Sequence, residues 1–236
     1  MAATHYSGPL QYSGKGATGA WGTDLTTAVD TDVVTYMDDF TAVALDSTNA
    51  WTVVKDSGAS AGIGADIVNG VLELTSAATT DNDGASVQGN EIFKAQADKS
   101  LWFETKIKCN DADQTDICVG LTVNFATNPE NMLTAADRIC FQIDDGDASI
   151  LCKTESGGTE TSTDSGIDLV DDTYVTLGIR VVGTGQVFFY IDRTQVAYHS
   201  TNIPTTELAL AAMSLSGSAT GTRTTTVDYM FAAATR

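Results

Sequence analysis

The stretch that decides the fold is TYVTLGIRVVGTGQVFFYIDRTQVAY, residues 173–198. Apolar side chains occupy every second position in its first half, and the same alternation resumes after the turn Gly183-Thr184-Gly185. The alternating positions are Val175, Leu177, Ile179, Val181, Val187, Phe189 and Ile191. A period of two predicts two β-strands joined by a short turn, each with one face on a core and the other in water.

The same period runs through most of the chain after Phe40. It is clearest in residues 101–109 (LWFETKIKC), 117–125 (ICVGLTVNF), 139–143 (ICFQI) and 227–231 (VDYMF). Many short strands of this kind, separated by Gly, Asn and Asp turns, are typical of antiparallel sandwiches. The sequence therefore predicts an all-β protein built as an antiparallel two-sheet jelly-roll sandwich.

Two local signals refine this prediction. Asn69-Gly70 stands between Ile67-Val68 and residues 71–74, which predicts a β-hairpin at that point. Residues 129–136 are the one segment in which we expect a short helix, with Asn128 as its N-cap and a proline in its first turn.

The N-terminal region differs from the rest of the chain. Residues 7–22 (SGPLQYSGKGATGAWG) are rich in Gly and Ser and show no periodicity, so they cannot bury a face of their own. The region carries three separated aromatic side chains, Tyr6, Tyr12 and Trp21. We therefore predict an extended N-terminal arm over residues 1–38 and a jelly-roll β-sandwich domain over residues 39–236.

The charge balance excludes some partners. Twelve Lys and Arg stand against 31 Asp and Glu, for a net charge of -19, and only Lys106 and Lys108 lie close together among the basic residues. Nucleic-acid backbones and anionic membrane surfaces require basic patches. We therefore expect neither nucleic acid nor membrane as a partner, and the sequence shows no secretory signal and no bilayer-spanning apolar run.

The four cysteines are Cys109, Cys118, Cys140 and Cys152. Their spacing fits neither a zinc knuckle nor a redox pair, and each lies in or beside a strand-like apolar run. Reduced, buried thiols are the favoured interpretation. A Cys109–Cys118 bridge across a hairpin remains an alternative that an oxidising compartment would allow.

Three segments together resemble a known family. Residues 101–121, 137–147 and 173–198 are similar in order and pattern to the concanavalin A-like (laminin G-like) jelly roll, although Arg193 stands where that family usually has Gly after Asp192. The combination of an arm and a jelly roll resembles capsid-associated proteins of tailed bacteriophages. The short motif HYSGPL, at the start of the arm, is similar to the leaders of phage head proteins.

The resemblance also defines what catalysis would require. Glycosidases of this fold place carboxylates on alternate positions of one strand, in an E-x-D-x-x-E arrangement that flanks the scissile bond. No such run occurs, since Glu73 and Glu104 each stand alone in their strands. The two histidines, His5 and His199, have no recognisable nucleophile. We therefore predict that the chain is not an enzyme and has no catalytic residues and no cofactor.

Other ligands have weaker signals. Residues 81–84 and 144–147 are Asp-rich turns with hard oxygen ligands, but neither completes a calcium loop, so we expect no bound metal. A lectin site would use exposed aromatic residues at a loop rim or sheet face. Trp51 and Trp102 are the candidates, although large aromatics in strand-like runs more often lie in the core.

These observations, with the resemblance, predict a structural virion protein. It would be a capsid decoration (cement) protein, made in the host cytoplasm and bound to the capsid exterior as a homotrimer. Its partner would be the major capsid protein, contacted through the arm residues Tyr6, Leu10, Tyr12 and Trp21. The alternative is a carbohydrate-binding, lectin-like module for host or glycan recognition, and a third hypothesis is a glycan hydrolase whose carboxylates come from loops.

Overall fold

The computed structural model describes residues 33–65, 67–77, 80–125, 127–217 and 221–236. These residues form an all-β protein with fifteen strands and two short 3₁₀ helices. The strands are β1 Val33–Asp38, β2 Thr52–Lys55, β3 Ser60–Ile63, β4 Leu72–Thr75, β5 Gly84–Gln88, β6 Ser100–Cys109, β7 Thr115–Thr122, β8 Arg138–Asp144, β9 Asp147–Ser156, β10 Thr159–Asp168, β11 Val175–Val182, β12 Gln186–Ile191, β13 Thr194–His199, β14 Ala209–Ser216 and β15 Thr224–Thr235. The 3₁₀ helices are Ala112–Gln114 and Pro129–Met132.

The strands form two antiparallel sheets. Sheet A has eight strands in the order β13-β12-β11-β6-β15-β4-β3, with β1 also paired to β15. Sheet B has seven strands in the order β10-β9-β8-β7-β14-β5-β2. The predicted all-β, two-sheet sandwich is thus confirmed.

One hydrophobic core lies between the two sheets. It takes Phe103 and Ile179 from sheet A and Val119, Phe141 and further alternating side chains from sheet B. The Phe141 and Phe189 rings meet edge to face across the core, with centroids 5.4 Å apart. The alternation seen in the sequence therefore identifies the inward-facing positions of β7, β8, β11 and β12. It fails in β15, where a register shift after Val227 brings Met230 into the core and turns Phe231 to the outer face.

The hairpin at Asn69-Gly70 differs from the prediction. Both residues adopt positive φ, as a tight turn requires, and Gly70 N donates to Ile67 O at 3.1 Å. Ile67 and Val68, however, are not in a strand, and the partner of β4 is β3, at residues 60–63. The turn forms at the predicted residues, but the strand that precedes it lies further back in the chain, because residues 64, 65 and 67–71 are in no strand.

The predicted helix is shorter than expected. Asn128 caps it as expected, since its side chain accepts a hydrogen bond from Glu130 N at 3.0 Å. The helix is a single 3₁₀ turn that ends at Met132. Asn128 and the following proline set the start, and the tertiary contacts of Met132 set the end.

The predicted arm lies largely outside the described residues, which begin at residue 33. The last six residues assigned to it, 33–38, form β1 and pair with β15. Among the described residues no helix is long and apolar enough to cross a membrane.

All four cysteines are buried and free. Cys109 belongs to the core between the sheets, whereas Cys118 packs in a second cluster with Cys140 and Met213. Cys109 and Cys118 therefore face different layers of the protein, and the alternative bridge between them is not formed.

Candidate functional site

The outer face of sheet B carries a buried group of charged side chains. On β8, the side chains of Ile139, Phe141 and Ile143 enter the core. Arg138 and Gln142 occupy alternate positions of the same strand, so their side chains point to the opposite face. The same alternation on β9 and β10 brings further polar side chains beside them. We call the set Arg138, Gln142, Lys153, Glu155 and Glu160 the polar face.

Arg138 is the centre of the polar face. Its side chain is only 4% exposed, and its Nε donates to Glu155 Oε2 and its Nη2 to Glu160 Oε2, both at 2.8 Å. Its Nη1 donates to Met132 O at 3.0 Å and also to the carbonyl of Leu133. A guanidinium has five N–H donors in a fixed plane, which suits it to join two carboxylates and a loop backbone.

The two carboxylates differ in access to water. Glu155 and Glu160 are opposite each other in the β9–β10 register, and their side chains are 11% and 33% exposed. Lys153 Nζ lies 3.3 Å from Glu160 Oε2. The positive charges of Arg138 and Lys153 therefore balance the two carboxylates. Glu160 is the carboxylate with more access to solvent.

A loop covers the neighbouring part of the same face. Phe125, Met132 and Leu133 come from the segment between β7 and β8. They pack on outward side chains of β7, β8 and β14, namely Cys118, Cys140, Ala211, Met213 and Leu215. On the side of the sheet formed by β8, β9 and β10 the outer surface stays accessible, with Ser162 and Asp164 exposed on β10.

Two buried thiols lie between the loop and the polar face. The Cys118 and Cys140 thiols lie in the same cluster, and their mutual interaction raises the pKa of Cys118 and lowers that of Cys140. The nearby Arg138 and Lys153 charges also favour the Cys140 thiolate. Burial would lower the pKa of Arg138, but the facing Cys140, Cys118 and Glu155 raise it overall, so Arg138 remains a cation.

A separate carboxylate, that of Asp116, lies at the start of β7. Burial raises the pKa of Asp116 to about 6, and the neighbouring Asp145 and Asp144 add to the rise, while a hydrogen bond from Asp145 N at 2.9 Å opposes it. Among the described residues no three His, Cys, Asp or Glu side chains form a group that could hold a metal ion. The absence of a metal, expected from the sequence, stays a prediction.

The two tryptophans that the sequence offers for a lectin site lie away from the polar face. Tyr6, Leu10, Tyr12, Trp21 and His5 are outside the described residues. Trp51 is 2% exposed in the core, where its Nε1 donates to Asp38 Oδ2 at 2.8 Å, and Trp102 is 4% exposed on the outer face of sheet A. Neither tryptophan offers an open ring for a sugar.

The second histidine also has a packing role. His199 is buried, with Thr154 Oγ1 2.9 Å from its Nδ1 and Thr163 Oγ1 3.0 Å from its Nε2. Burial lowers its pKa, which favours the neutral ring. His199 thereby links β13 of sheet A to β9 and β10 of sheet B.

Sequence reasoning missed the Glu155–Glu160 pair. The signal was present: Gly157-Gly158 is a two-residue turn of the kind that joins hairpin strands, and it sets Glu155 opposite Glu160. A search for acids at alternate positions of one strand does not find a pair that two strands contribute.

Comparison with known proteins gives the family. Residues 67–231 match the model of the family described as "SO2946-like, C-terminal domain". The chain belongs to this family. No curated protein matches the chain.

Several solved structures are similar to this chain in fold. A Bacteroides ovatus mixed-linkage glucan GH16 protein in complex with a G4G4G3G product matches with a TM-score of 0.59 and 12% identity, over 83% of this chain and 98% of that one. A Crh5 transglycosylase in complex with NAG has a TM-score of 0.59 and 16% identity, over 84% and 82%. The catalytic domain of a Thermotoga petrophila endo-1,3-β-glucanase (laminarinase) has a TM-score of 0.58 and 13% identity, over 84% and 96%. At these identities the likeness establishes the fold.

Two predictions are changed by these matches. The resemblance to a concanavalin A-like jelly roll is confirmed, but nothing in the comparisons supports a phage capsid protein. The prediction that the chain is not an enzyme is contradicted, because the similar structures named above include glucanases and a transglycosylase. That prediction rested on the missing E-x-D-x-x-E run and took no account of acids placed on neighbouring strands.

Proposed function

We propose that this protein binds glycans on the open side of the outer face of sheet B. The observation that carries the proposal is the polar face, in which Arg138, Glu155, Glu160, Lys153 and Gln142 are held together by mutual hydrogen bonds and ion pairs. This carries forward the carbohydrate-binding alternative and replaces the cement-protein interpretation.

The chemistry of the polar face suits sugar hydroxyls. Carboxylates accept from hydroxyl groups, ammonium groups donate to them, and amides do both. Glu160 is accessible, with Ser162 and Asp164 exposed along the same strand. Because Arg138 and Lys153 fix Glu160 from below, its carboxylate is positioned before a ligand arrives, which reduces the entropy lost on binding.

The fold matches support the same ligand class. The Bacteroides ovatus protein is described with a glucan-derived product and the Crh5 protein with NAG. The polar face differs from a flat aromatic platform, so we expect recognition by hydrogen bonds to hydroxyl groups. β-Glucan and chitin oligosaccharides are the first ligands to test.

Hydrolysis is the second candidate function, and the Glu155–Glu160 pair favours it. Retaining glycosidases use two carboxyl groups about 5 Å apart, one as nucleophile and one as general acid. Here both carboxylates lie within hydrogen-bonding distance of one guanidinium, and one is more exposed than the other. Release of reducing sugars from β-glucan, lost in both E155Q and E160Q, would establish this activity.

The binding proposal is tested by titration calorimetry with β-glucan and chitin oligosaccharides. E160Q removes the charge from the accessible carboxylate, and we expect it to weaken binding about tenfold. E207Q is the matched control, since Glu207 also pairs with a lysine, Lys94, but lies outside the polar face. Equal binding by the two variants, or no binding by the wild type, would overturn the proposal.

A further inference from the structure

The outer face of sheet A carries a second, unusual patch. Trp102, Tyr190 and Ala233 are buried there, with the partly buried Val33, Phe188 and Phe231 packed around them. We call these six residues the aromatic patch. All of them belong to strands of sheet A itself, namely β1, β6, β12 and β15.

A patch of this kind is unexpected on the outside of a sandwich. The outward face of an antiparallel sheet is ordinarily polar and wet. Trp102 is 4% exposed, and its Nε1–H has no hydrogen-bond partner among the described residues. A buried indole N–H usually finds an acceptor. The patch therefore has the features of a surface that another segment completes.

We propose that the aromatic patch is the docking site for residues 1–32 of this chain. These residues lie outside the described ones and end immediately before Val33, which is itself a member of the patch. The preceding segment therefore starts from the edge of the patch. The patch extends over the neighbouring strands β12, β11, β6, β15 and β1, which span about 19 Å, and an extended chain covers that distance in about six residues.

The composition of the segment complements the patch. It contains Tyr6, Tyr12 and Trp21, whose rings can cover Phe188 and Tyr190, and backbone carbonyls that can accept from Trp102 Nε1. Arg180 is opposite Trp102 in the β11–β6 register, so the surroundings of the patch include a cation. The segment is acidic, with Asp24, Asp30 and Asp32 and with Lys15 as its one Lys or Arg.

Photo-crosslinking in the full chain tests the proposal. Trp21 is replaced by the photoreactive residue p-benzoyl-phenylalanine, and crosslinked peptides are identified by mass spectrometry. We expect crosslinks within the monomer to β6 or β12. Crosslinked dimers would show that the patch binds a second copy, and crosslinks elsewhere would show that the segment does not dock there. Either result overturns the proposal.

A pair of matched substitutions sharpens the result. F188D places a charge in the patch and should reduce the crosslink yield about tenfold. V170D introduces the same charge at an exposed apolar residue outside the patch and should leave the yield unchanged. Equal yields in the two variants would overturn the proposal.

A second measurement leaves the described residues intact. In the full chain, the triple variant Tyr6→Ala, Tyr12→Ala and Trp21→Ala removes the expected anchors. We expect faster amide hydrogen exchange in β12 and β13, with unchanged exchange in β8 and β9 of sheet B. Unchanged exchange in β12 and β13 would overturn the proposal even if a patch variant failed to fold.

Discussion

The two outer faces of the sandwich are buried by different chemistry. On sheet B, a loop places Met132 and Phe125 over one half of the face, and Arg138 neutralises the carboxylates beside them. On sheet A, the aromatic patch is apolar and contains an indole N–H without a partner among the described residues. Described residues cover part of the outer face of sheet B and leave its polar side accessible. On the outer face of sheet A, no described residue accepts a hydrogen bond from the Trp102 indole.

The difference shows how one fold carries two kinds of surface. In both sheets the inward positions are fixed by the core, so only the outward positions are free to vary. Buried ions need partners at every polar atom, which is why Arg138 contacts four different residues besides Gln142. An apolar patch needs only a complementary surface. The following predictions test each side of this comparison.

Removing the central cation should have the largest effect. Arg138→Ala leaves Glu155 as a buried carboxylate without its partner and leaves two loop carbonyls unsatisfied. We expect the free energy of unfolding to fall by about 3–5 kcal/mol, measured by urea denaturation. Lys94→Ala, in an exposed ion pair, is the control and should show no measurable change. A small effect at Arg138 would mean that the cluster is not a structural unit.

Opening the loop should cost somewhat less. Met132 is fully buried against sheet B, so Met132→Ala should lower the free energy of unfolding by about 2–4 kcal/mol. The partly buried Leu133 gives a graded control, since Leu133→Ala removes less buried area and should cost less. If the two substitutions had equal effects in urea denaturation, the loop would not be anchored chiefly through Met132.

The third prediction concerns how stability depends on pH through Asp116, at the start of β7. Because burial raises the pKa of Asp116 to about 6 from 3.8, the ionised form favours the unfolded state. This penalty is absent below about pH 4, grows as the pH rises and is complete above pH 6. Asp116→Asn should therefore raise the free energy of unfolding at pH 8 by about 1–2 kcal/mol and change little at pH 4.

The control for this prediction has the opposite sign. Hydrogen bonds from the Ser149 hydroxyl and backbone N–H lower the pKa of Asp147, so its ionised form favours the folded state. Its contribution is present above its unfolded pKa and is lost as the pH falls. Asp147→Asn should therefore lower the stability slightly at pH 8, and a gain there would contradict the assignment.

The smallest effect is expected in the aromatic patch. Trp102→Phe keeps an aromatic ring and removes an N–H that has no acceptor among the described residues, so it loses at most the one hydrogen bond that a docked segment would supply. We expect thermal and urea unfolding to place this variant within about 1 kcal/mol of the wild type. Trp51→Phe loses the hydrogen bond to Asp38 and core volume, so it should cost more. The reverse order would show that Trp102 is the better-satisfied tryptophan.

The sequence by itself determined the architecture. Alternation of apolar residues identified the inward positions of β7, β8, β11 and β12, because a side chain in a strand can face only one of two layers. The helix cap at Asn128 could also be predicted from the sequence, because it depends on a hydrogen bond from Glu130, only two residues along the chain. Local rules sufficed wherever the physical cause was local.

Only the tertiary structure decided what the outward positions do. In the sequence, Arg138 is simply one more polar residue of a strand. Its role depends on Glu155, Glu160 and a loop, which the fold brings into contact with it. Trp102 alternates as an outward residue, yet it is buried in the aromatic patch. Outward side chains are set by contacts between strands and loops that are distant in sequence, and period two carries no information about those contacts.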